Sequence, residues 1–157
     1  MNMTVLNDRE IEGRIRKGQL IIGEYDIKFV TPNGYDVRAD IIRVADIEKK
    51  DGADIPPKTH FFVSTMETMA LPADITAQIW IRSSYARKGI IGSFGFIDAG
   101  FTGQLTLSFY NSSGEQLHVS RGERVAQVVF LAMSAPAERD YSSRSGNYQN
   151  SSGIKLS

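Results

Sequence analysis

Residues 95–111 read GFIDAGFTGQLTLSFYN, and this stretch decides the class of fold. Its second half alternates apolar and polar residues, which places Leu105 and Phe109 on one face of a strand. Its first half carries an acid, Asp98, just before a glycine and directly after two apolar residues. A serine, Ser108, lies on the polar face of the predicted strand. The stretch therefore predicts a half-buried β-strand that follows a chemically useful carboxylate.

The same period of two recurs along much of the chain. It marks strands in HFFVSTMETM, in DITAQIWI and in the nearly continuous apolar run from Val125. Turn residues such as Pro, Gly and Asn separate these runs. One short helix is predicted over residues 6–18, capped by Asn7 or Asp8 and ended by Gly18. Many short strands with regular turns predict an all-β sandwich or barrel-like fold with a short N-terminal helix.

Composition limits the classes of function. The chain has 157 residues, enough for one domain with a sizeable core. Basic and acidic residues balance at 18 each, whereas duplex-binding surfaces show a basic excess, so no nucleic acid polymer is expected as a partner. No apolar run approaches the ~20 residues of a membrane helix and no signal peptide is evident, so neither a membrane nor export is expected.

The residues that commonly hold metals are scarce. The chain has no cysteine, which excludes disulfides and thiolate zinc sites and suits a reducing cytoplasm. The two histidines, His60 and His118, lie far apart and have no acidic partner at ligand spacing. A dedicated metal cage built from protein side chains is therefore not expected.

The composition changes sharply towards the C-terminus. Residues 1–135 are predicted to form the β domain. Residues 136–157 are rich in Ser, Gly and Asn and cannot bury enough apolar surface to fold alone. This tail is either a frayed end or a flexible segment that closes over an active site. Tyr141, Arg144 and Tyr148 are the residues that favour the second interpretation.

Residues 82–89, RSSYARKG, follow a predicted strand and combine three cations, two hydroxyls and a glycine. Guanidinium groups bind phosphate oxygens in a fork, and hydroxyls add further donors. A phosphate-binding loop and an ordinary solvated loop are equally good interpretations of this composition. The candidate phosphate ligands are Arg82, Ser83, Ser84 and Arg87.

Three further positions allow both a chemical and a structural interpretation. Asp98, flanked by Phe96 and Ile97, is either a partly desolvated base that takes a proton from water or a residue that bonds its own turn. Phe101 is either a core residue or a platform for a sugar or base. Gln127, a polar residue inside an apolar strand, either bonds a neighbouring strand or faces a ligand.

The order of these segments resembles that of the dUTPase and dCTP deaminase superfamily. The N-terminal LNDREIEGRIRKGQLII is similar to the deaminase branch, and five motifs follow in the superfamily's order. These motifs are NGYDVRA, LPADITAQIWIRSSYARKGI, GFIDAGFTGQLTLSFYN, GERVAQVVF and GNYQNSSGIKLS.

The resemblance implies a distorted jelly-roll of the dUTPase-like β-clip type, assembled as a homotrimer with three active sites at the subunit junctions. Members of the superfamily either hydrolyse dUTP to dUMP and pyrophosphate or deaminate dCTP without zinc. The deaminases carry a glutamate, in LEFYN or LELSN, where this chain has Ser108 in LSFYN. A serine cannot replace a carboxylate as general acid–base near neutral pH. The expected activity is therefore that of a dUTP diphosphatase with dUTP as its substrate.

The resemblance also implies roles for the candidate residues. Asp98 would be the general base for a water that attacks the α-phosphorus, and Gln127 would bind phosphate or this water. Mg²⁺ would be the cofactor, held mainly by the triphosphate and by water. A hairpin over residues 89–98 would pair with the uracil edge, Phe101 would pack under the deoxyribose, and the tail would close over the ligand. The residues implied to bind substrate are Arg82, Ser83, Ser84, Arg87, Phe96, Phe101, Tyr141 and Tyr148.

Two alternatives stay open. The chain is a dCTP deaminase, or a bifunctional deaminase and dUTPase, if another carboxylate does the work of the missing glutamate. Glu115, just beyond the strand, is the nearest candidate in the sequence. The other alternative is a non-catalytic nucleotide-binding relative with a regulatory role. The presence of Asp98, Ser83 and Gln127 argues against it.

Overall fold

Strands are the main regular secondary structure of the chain. The computed structural model describes residues 4–144 and 146–157. Within these residues no helix is both long enough and apolar enough to cross a membrane. The helices are α1 (Asp8–Arg16), α2 (Ser83–Ala86) and α3 (Tyr141–Arg144), with a 3₁₀ turn at Ile27–Phe29. The strands are β1 (Thr4–Val5), β2 (Ile21–Ile22), β3 (Val30–Thr31), β4 (Gly34–Val44), β5 (Ile47–Lys49), β6 (Gly52–Ile55), β7 (Thr59–Ala70), β8 (Ile75–Ile81), β9 (Ile90–Ser93), β10 (Phe96–Ile97), β11 (Thr102–Asn111), β12 (Leu117–Ser120) and β13 (Arg124–Ala132).

Eleven of these strands form one curled sheet, and β6 and β12 form a separate pair. The main order of the sheet is β10-β8-β13-β4-β7-β11-β9, and the short strands β1, β2, β3 and β5 pair with its members. The end strands β9 and β10 are separated in the chain only by residues 94–95, so the sheet curls until its two ends meet. The predicted all-β, barrel-like fold with a short N-terminal helix is confirmed, whereas the homotrimer stays a prediction.

The core lies inside the curled sheet and is built from the inward faces of alternating strands. Leu107 and Phe109 on β11 are each buried, and the ring of Phe109 stacks on that of Phe61 from β7 with the centroids 5.2 Å apart. Val128 and Phe130 on β13 are completely buried. Burial of a side chain of this size stabilises the fold by about 1.5–3 kcal/mol. The alternation in the sequence therefore marks the core directly.

The predicted N-terminal helix corresponds to α1. The side chain of Asn7 accepts a hydrogen bond from the amide of Glu10, and the Glu10 carboxylate accepts one from the amide of Asn7. This reciprocal capping box satisfies two amides that a helix start leaves unpaired. Ile11 is completely buried and fixes the helix against the core. Gly18, at φ 66°, ends the helix in a conformation that glycine adopts without strain.

Two local expectations are wrong. Residues 82–89 are not a loop throughout, because they include α2, which the buried Tyr85 anchors in the core. Residues 89–98 do not form a hairpin in the described chain, because β9 pairs with β11 whereas β10 pairs with β8. The ring of Phe94, between these strands, packs edge-on against Phe109 with the centroids 5.1 Å apart. This contact packs the link against the core, between two strands that have different partners.

A buried ion pair joins β4 and β7. Glu67 is completely buried, and its carboxylate accepts hydrogen bonds from the side chain and the backbone amide of Arg38 over 2.7 and 2.9 Å. The Arg38 guanidinium also lies over the ring of Phe29, 4.6 Å from its centroid. Burial raises the pKa of the Glu67 carboxyl, and the hydrogen bonds from Arg38 oppose this shift. Removal of either side chain would leave the other one without its hydrogen-bonding and charge partner.

The C-terminal tail lies along β11. The amide of Gln104 donates to the carbonyl of Ser151 over 2.9 Å, and the Gln104 side-chain oxygen accepts from the amide of Gly153 over 2.6 Å. Gly103 permits this approach, because its φ is +154° and a Cβ there would lie 2.5 Å from Ser151 Oγ. The tail therefore has defined partners on the β domain, while its mobility stays a prediction.

Candidate active site

A cleft of about 520 Å³ opens between β10, β11 and the tail. We call it the aromatic cleft, because rings from the β domain and from the tail form much of its wall. A wall of aromatic rings mixed with polar side chains suits a base or a sugar. The fold thus brings together, in a single chain, the predicted residues Phe96, Asp98, Phe101, Tyr141 and Tyr148, together with Ser108.

Asp98 lies at the rim of the aromatic cleft, at the end of β10. Its apolar neighbours do not bury it in the single chain, where Asp98 is exposed. The cause is the alternation of an extended chain, which turns the buried Ile97 towards the core and Asp98 away from it. The turn is closed by the backbone, where the Asp98 carbonyl accepts from the amide of Phe101 over 3.1 Å. The carboxylate therefore stays accessible to water and to a ligand.

Aromatic residues from two parts of the chain form the wall next to Asp98. Phe101 is buried in the β domain, and the ring of Tyr141 from α3 meets it edge-on with the centroids 5.6 Å apart. The Tyr141 hydroxyl accepts a hydrogen bond from the amide of Tyr148 over 2.9 Å. This bond links two parts of the tail beside the cleft. Phe96 remains 58% exposed at the other side of the cleft. The tail thus completes a wall that the β domain begins.

His60 is a residue of this region that the sequence did not identify. Its Nε2 atom lies 2.8 Å from the hydroxyl oxygen of Ser108, and its ring meets Phe62 edge-on with the centroids 4.6 Å apart. Ser108 and Phe62 both line the aromatic cleft. The alternation of HFFV does place His60 and Phe62 on one face of β7, but the partner on β11 is 48 residues away in the sequence. Only the strand pairing reveals the contact.

The predicted phosphate ligands of residues 82–89 lie elsewhere. Arg82 binds the buried Asp36 on β4, with 3.3 Å between Nε and the carboxylate, and Arg124 binds the same oxygen over 3.2 Å. Ser83 and Ser84 on α2 are exposed, and so is Arg87, which directly follows this helix. None of the residues on α2 is among those that line the aromatic cleft in the described chain. A single chain therefore does not bring these ligands to Asp98.

Gln127 is also separated from Asp98 within one chain. Gln127 is half-buried, and its side-chain amide donates to the hydroxyl of Thr31 over 2.7 Å, which satisfies it within the chain. Glu115, the alternative carboxylate, is exposed, and its carbonyl accepts from the side chain of Asn111 over 2.9 Å. Neither Gln127 nor Glu115 is among the residues that line the aromatic cleft in the described chain.

Comparison with known proteins identifies the family. Residues 38–133 match the family model described as dCTP deaminase-like. The chain belongs to this dCTP deaminase-like family. The dCTP deaminase of Thermococcus kodakarensis is 38% identical over 92% of this chain and 94% of its own length. The dUMP-forming dCTP deaminase of Persephonella marina is 33% identical over 98% of this chain and 96% of its own length. The predicted superfamily is confirmed.

Solved structures share the fold of this dCTP deaminase-like chain. The dCTP deaminase from Agrobacterium tumefaciens superposes with a TM-score of 0.72 at 24% identity, over 84% of this chain and 50% of that protein. The dUTPase of EIAV superposes with a TM-score of 0.53 at 20% identity, over 68% of this chain and 80% of that protein. The fold therefore occurs in both deaminases and dUTPases, so it does not indicate which of the two reactions a protein catalyses.

A second, smaller cleft adjoins the aromatic cleft on the other side of Asp98. Its volume is about 350 Å³, it shares Asp98 and Tyr141 with the aromatic cleft, and Arg139 and Arg144 line it. The hydroxyl of Ser142 lowers the pKa of the Asp140 carboxyl, so that group is ionised at neutral pH. The sequence singled out Arg144 but not Arg139. This dCTP deaminase-like chain thus has two clefts that share one carboxylate, one rich in aromatic rings and one lined by two arginines.

The side chains near Asp98 are compatible with Mg²⁺ only as a partner of the substrate. Among the described residues, no group of three or more His, Asp and Glu side chains could hold a metal ion. Mg²⁺ keeps several waters and often binds through one or two carboxylates together with substrate phosphates. Asp98 is exposed at the rim, where it could meet such an ion. The donor set therefore fits an ion that arrives with a triphosphate.

Proposed function

We propose that the chain is a dUTP diphosphatase, which hydrolyses dUTP to dUMP and pyrophosphate. The polar groups of the aromatic cleft carry this proposal. Asp98 is the one carboxylate among the described residues that line it, and the hydroxyl of Ser108 stands where the resemblance places a deaminase glutamate. Ser108 is bonded to His60 and not to an acid. Deamination needs a side chain that transfers protons at the cytosine ring. Hydrolysis needs a general base that takes a proton from the attacking water.

Asp98 would act as the general base at the rim of the aromatic cleft. Its carboxylate would accept a proton from a water as the water oxygen attacks the α-phosphorus in line. The bond between the α-phosphorus and the bridging oxygen breaks, and pyrophosphate leaves. Mg²⁺, when bound to the triphosphate, would neutralise part of the charge on the leaving group. Arg139 and Arg144, on the far side of Asp98, would attract the distal phosphates.

The aromatic cleft would hold the nucleoside. Phe101 and Tyr141 form the wall against which the deoxyribose would pack. Tyr148 borders the cleft from the tail. The backbone next to Phe96 would meet the edge of the uracil ring, although it forms an irregular link between two strands and not a hairpin. Buried donors and acceptors that a wrong base leaves unpaired are a strong source of selectivity.

We also propose a homotrimer in which neighbouring chains complete the site. Arg82, Ser83, Ser84 and Arg87 do not reach Asp98 in one chain, so they contribute to the phosphates only if α2 of a second chain approaches the cleft. Exposed apolar side chains support such an interface, since Trp80, Ile91 and Phe96 are 56%, 56% and 58% exposed. Gln127 would join the site in the same way, provided that the subunit contact releases it from Thr31.

Deamination of dCTP is the second candidate function. The names of the relatives favour it, because the 38% identical protein of Thermococcus kodakarensis is a dCTP deaminase. The dUMP-forming relative of Persephonella marina also supports an enzyme that combines both reactions. A deaminase and a combined enzyme would both require a side chain that transfers protons at the cytosine ring. In a single chain neither Ser108 nor the exposed Glu115 supplies one.

A product assay separates these candidates. Purified protein is incubated with Mg²⁺ and either dUTP or dCTP, and the products are separated by anion exchange. The proposal expects dUMP and pyrophosphate from dUTP and no change in dCTP. Formation of dUTP or dUMP from dCTP would establish deamination and overturn the interpretation of Ser108. Unchanged dUTP and dCTP together would favour a non-catalytic nucleotide-binding protein.

A further inference from the structure

The aromatic cleft has one cationic side chain, Lys155 of the tail, among the described residues that line it. Asp98 is the one anionic side chain in the same set. Lys155 is half-buried, and no acidic group within residues 4–144 and 146–157 forms an ion pair with it. Its ammonium group is therefore available to a ligand that enters the cleft.

The backbone of Lys155 is fixed to β11. Its amide donates to the hydroxyl of Thr106 over 3.0 Å, and two residues earlier the amide of Gly153 donates to the side-chain oxygen of Gln104 over 2.6 Å. Thr106 and Gln104 both line the aromatic cleft. These bonds set the position of Lys155 along the cleft, while its flexible four-carbon stem carries the three N–H donors of the ammonium group.

Lys155 is attached far from the end of the cleft that holds Asp98. The Asp98 carbonyl accepts from the amide of Phe101 over 3.1 Å, so these two residues lie at the same end. Thr106 follows Phe101 by five residues, most of them in β11, which corresponds to roughly 15 Å in an extended strand. The arginines proposed to attract the distal phosphates line the adjoining cleft, which shares Asp98. Lys155 is therefore placed to meet the base and not the phosphates.

The link proposed to contact the pyrimidine lies at the same end as Lys155. Ser93 on β9 pairs with Ser108 on β11, and Gly95, two residues after Ser93, lines the cleft together with Ser108. A pyrimidine nucleoside carries its sugar on ring nitrogen 1, and ring position 4 lies opposite that nitrogen. With the sugar against Phe101, position 4 is therefore directed towards the end where Lys155 is attached.

We propose that Lys155 is a specificity-determining residue whose ammonium group binds the oxygen at ring position 4 of uracil. The inference rests on the proposed function, since that function places the nucleoside in this cleft. Uracil carries an acceptor oxygen at position 4, as thymine does, whereas cytosine carries a donor amino group there. An ammonium group has three donors and no lone pair, so it cannot accept a hydrogen bond from the cytosine amino group.

The other polar side chains at this end do not make the same distinction. The hydroxyls of Thr106 and Ser108 both donate and accept, so they can bond to either base. In the described part of the chain, Lys155 is the one side chain lining the cleft that donates without being able to accept. Its positive charge also opposes the partly positive hydrogens of the cytosine amino group. Discrimination against cytosine by a side chain of this cleft is therefore assigned to Lys155.

The experiment measures binding of dUMP and dCMP by calorimetry near neutral pH. The two nucleotides share the same sugar and phosphate, so the ratio of their dissociation constants isolates the base. Lys155→Met keeps an unbranched stem but removes the donors, and the preference for dUMP should fall roughly tenfold, as expected for one hydrogen bond to a charged group. Lys155→Arg keeps the donors and should keep a preference for dUMP. Lys155→Glu supplies acceptors alone and should favour dCMP.

Lys49→Met provides a matched control, because it removes the same charge from an exposed position on β5 that does not line the cleft. Its ratio should equal that of the wild-type protein. An unchanged ratio in Lys155→Met, or an equal loss in Lys49→Met, would overturn the inference. Weakening of dUMP and dCMP by the same factor in Lys155→Met would also overturn it, because Lys155 would then bind the sugar or the phosphate.

Failure of the proposed function is recognised separately. The product assay with dUTP reports hydrolysis, whereas the calorimetric ratio uses nucleotides that contain no phosphoanhydride bond. If dUTP stays intact but the ratio changes as described, the role of Lys155 stands and the diphosphatase proposal falls. If dUTP is hydrolysed but Lys155→Met keeps the wild-type ratio, the reverse holds. A wild-type protein that does not bind dUMP, or that binds dCMP as tightly, would overturn the inference.

Discussion

The ring of Phe101, in the β domain, and the ring of Tyr141, in the tail, meet edge-on with their centroids 5.6 Å apart. An aromatic pair of this kind contributes about 0.5–1.5 kcal/mol beyond the burial of its surface. Phe101 is only 7% exposed, so its ring has little freedom to move. The wall on which the sugar would rest is therefore built jointly by the β domain and the tail.

Replacing Phe101 by alanine should narrow the preference for dUTP over UTP. The missing ring would leave space beneath the sugar in which a 2′-hydroxyl fits. The ratio of kcat/KM for the two nucleotides measures the effect, and we expect a change of tenfold or more, about 1.4 kcal/mol. Tyr141→Phe keeps both rings and should keep the preference. An unchanged ratio in Phe101→Ala would show that another group excludes the ribose hydroxyl.

Replacing Gly103 by alanine should displace the tail. A Cβ at this position would lie 2.5 Å from Ser151 Oγ, and the φ of +154° disfavours any side chain. Strain of this kind costs about 1–3 kcal/mol. We expect faster proteolysis after Ala135 and a higher KM for dUTP. Limited proteolysis with mass spectrometry provides the measurement.

Gly114→Ala is the matched control for this prediction, because nothing lies within 4 Å of a Cβ at that position. It should keep the proteolysis pattern of the wild-type protein. If Gly103→Ala also keeps this pattern, the contact with Ser151 does not hold the tail. Light scattering on both variants would show at the same time whether the tail influences assembly of the chain.

The sequence predicts the strands and the helix well, because their signals are local. DITAQIWI corresponds to β8 over Ile75–Ile81, and QLTLSFY lies within β11. Asn7, one of the two predicted caps, does cap α1 by accepting from the amide of Glu10. In each case the pattern concerns neighbours within a few residues. Period and capping therefore identify these elements without any knowledge of their partners.

The contacts that organise the site could not be predicted in this way. His60 and Ser108 are 48 residues apart, and their contact depends on the register between β7 and β11. The resemblance implies a hairpin over residues 89–98, but the two strands joined at Phe94 have different partners. The resemblance to a known family supplied the grouping of Asp98 with Phe101. Long-range pairing, which a single sequence does not reveal, supplied the rest.

The buried pair of Arg38 and Glu67 predicts a pH-dependent loss of stability. Arg38→Met leaves the Glu67 carboxylate buried without its partner, and breaking such a pair typically costs about 3–5 kcal/mol. Burial already raises the pKa of Glu67, and loss of the Arg38 side chain removes hydrogen bonds that lower it. A group whose folded pKa is raised stabilises the fold below its unfolded pKa, and this contribution is lost as pH rises through the folded pKa. The penalty should therefore be larger at about pH 7 than at about pH 5.

Urea unfolding of the wild-type protein and of Arg38→Met at these two pH values measures this difference in the free energy of unfolding. Arg43→Met is the control, since its partner Asp46 is 97% exposed and a surface pair contributes at most about 1 kcal/mol. Its effect should be small and nearly independent of pH. Equal penalties for Arg38→Met at both values would show that Glu67 does not take up a proton in the variant.

Asp98→Asn should retain nucleotide binding and lose hydrolysis. The amide keeps the size of the side chain but cannot accept a proton from the attacking water, so turnover of dUTP should fall by on the order of 10²–10⁴-fold. Calorimetry with dUMP tests binding, and the pyrophosphate released from dUTP tests turnover. Asp140→Asn is the comparison, because that carboxylate borders the adjoining cleft but is engaged by the hydroxyl of Ser142 over 2.7 Å. If Asp140→Asn loses as much turnover as Asp98→Asn, or if Asp98→Asn stays active, the general base is not Asp98.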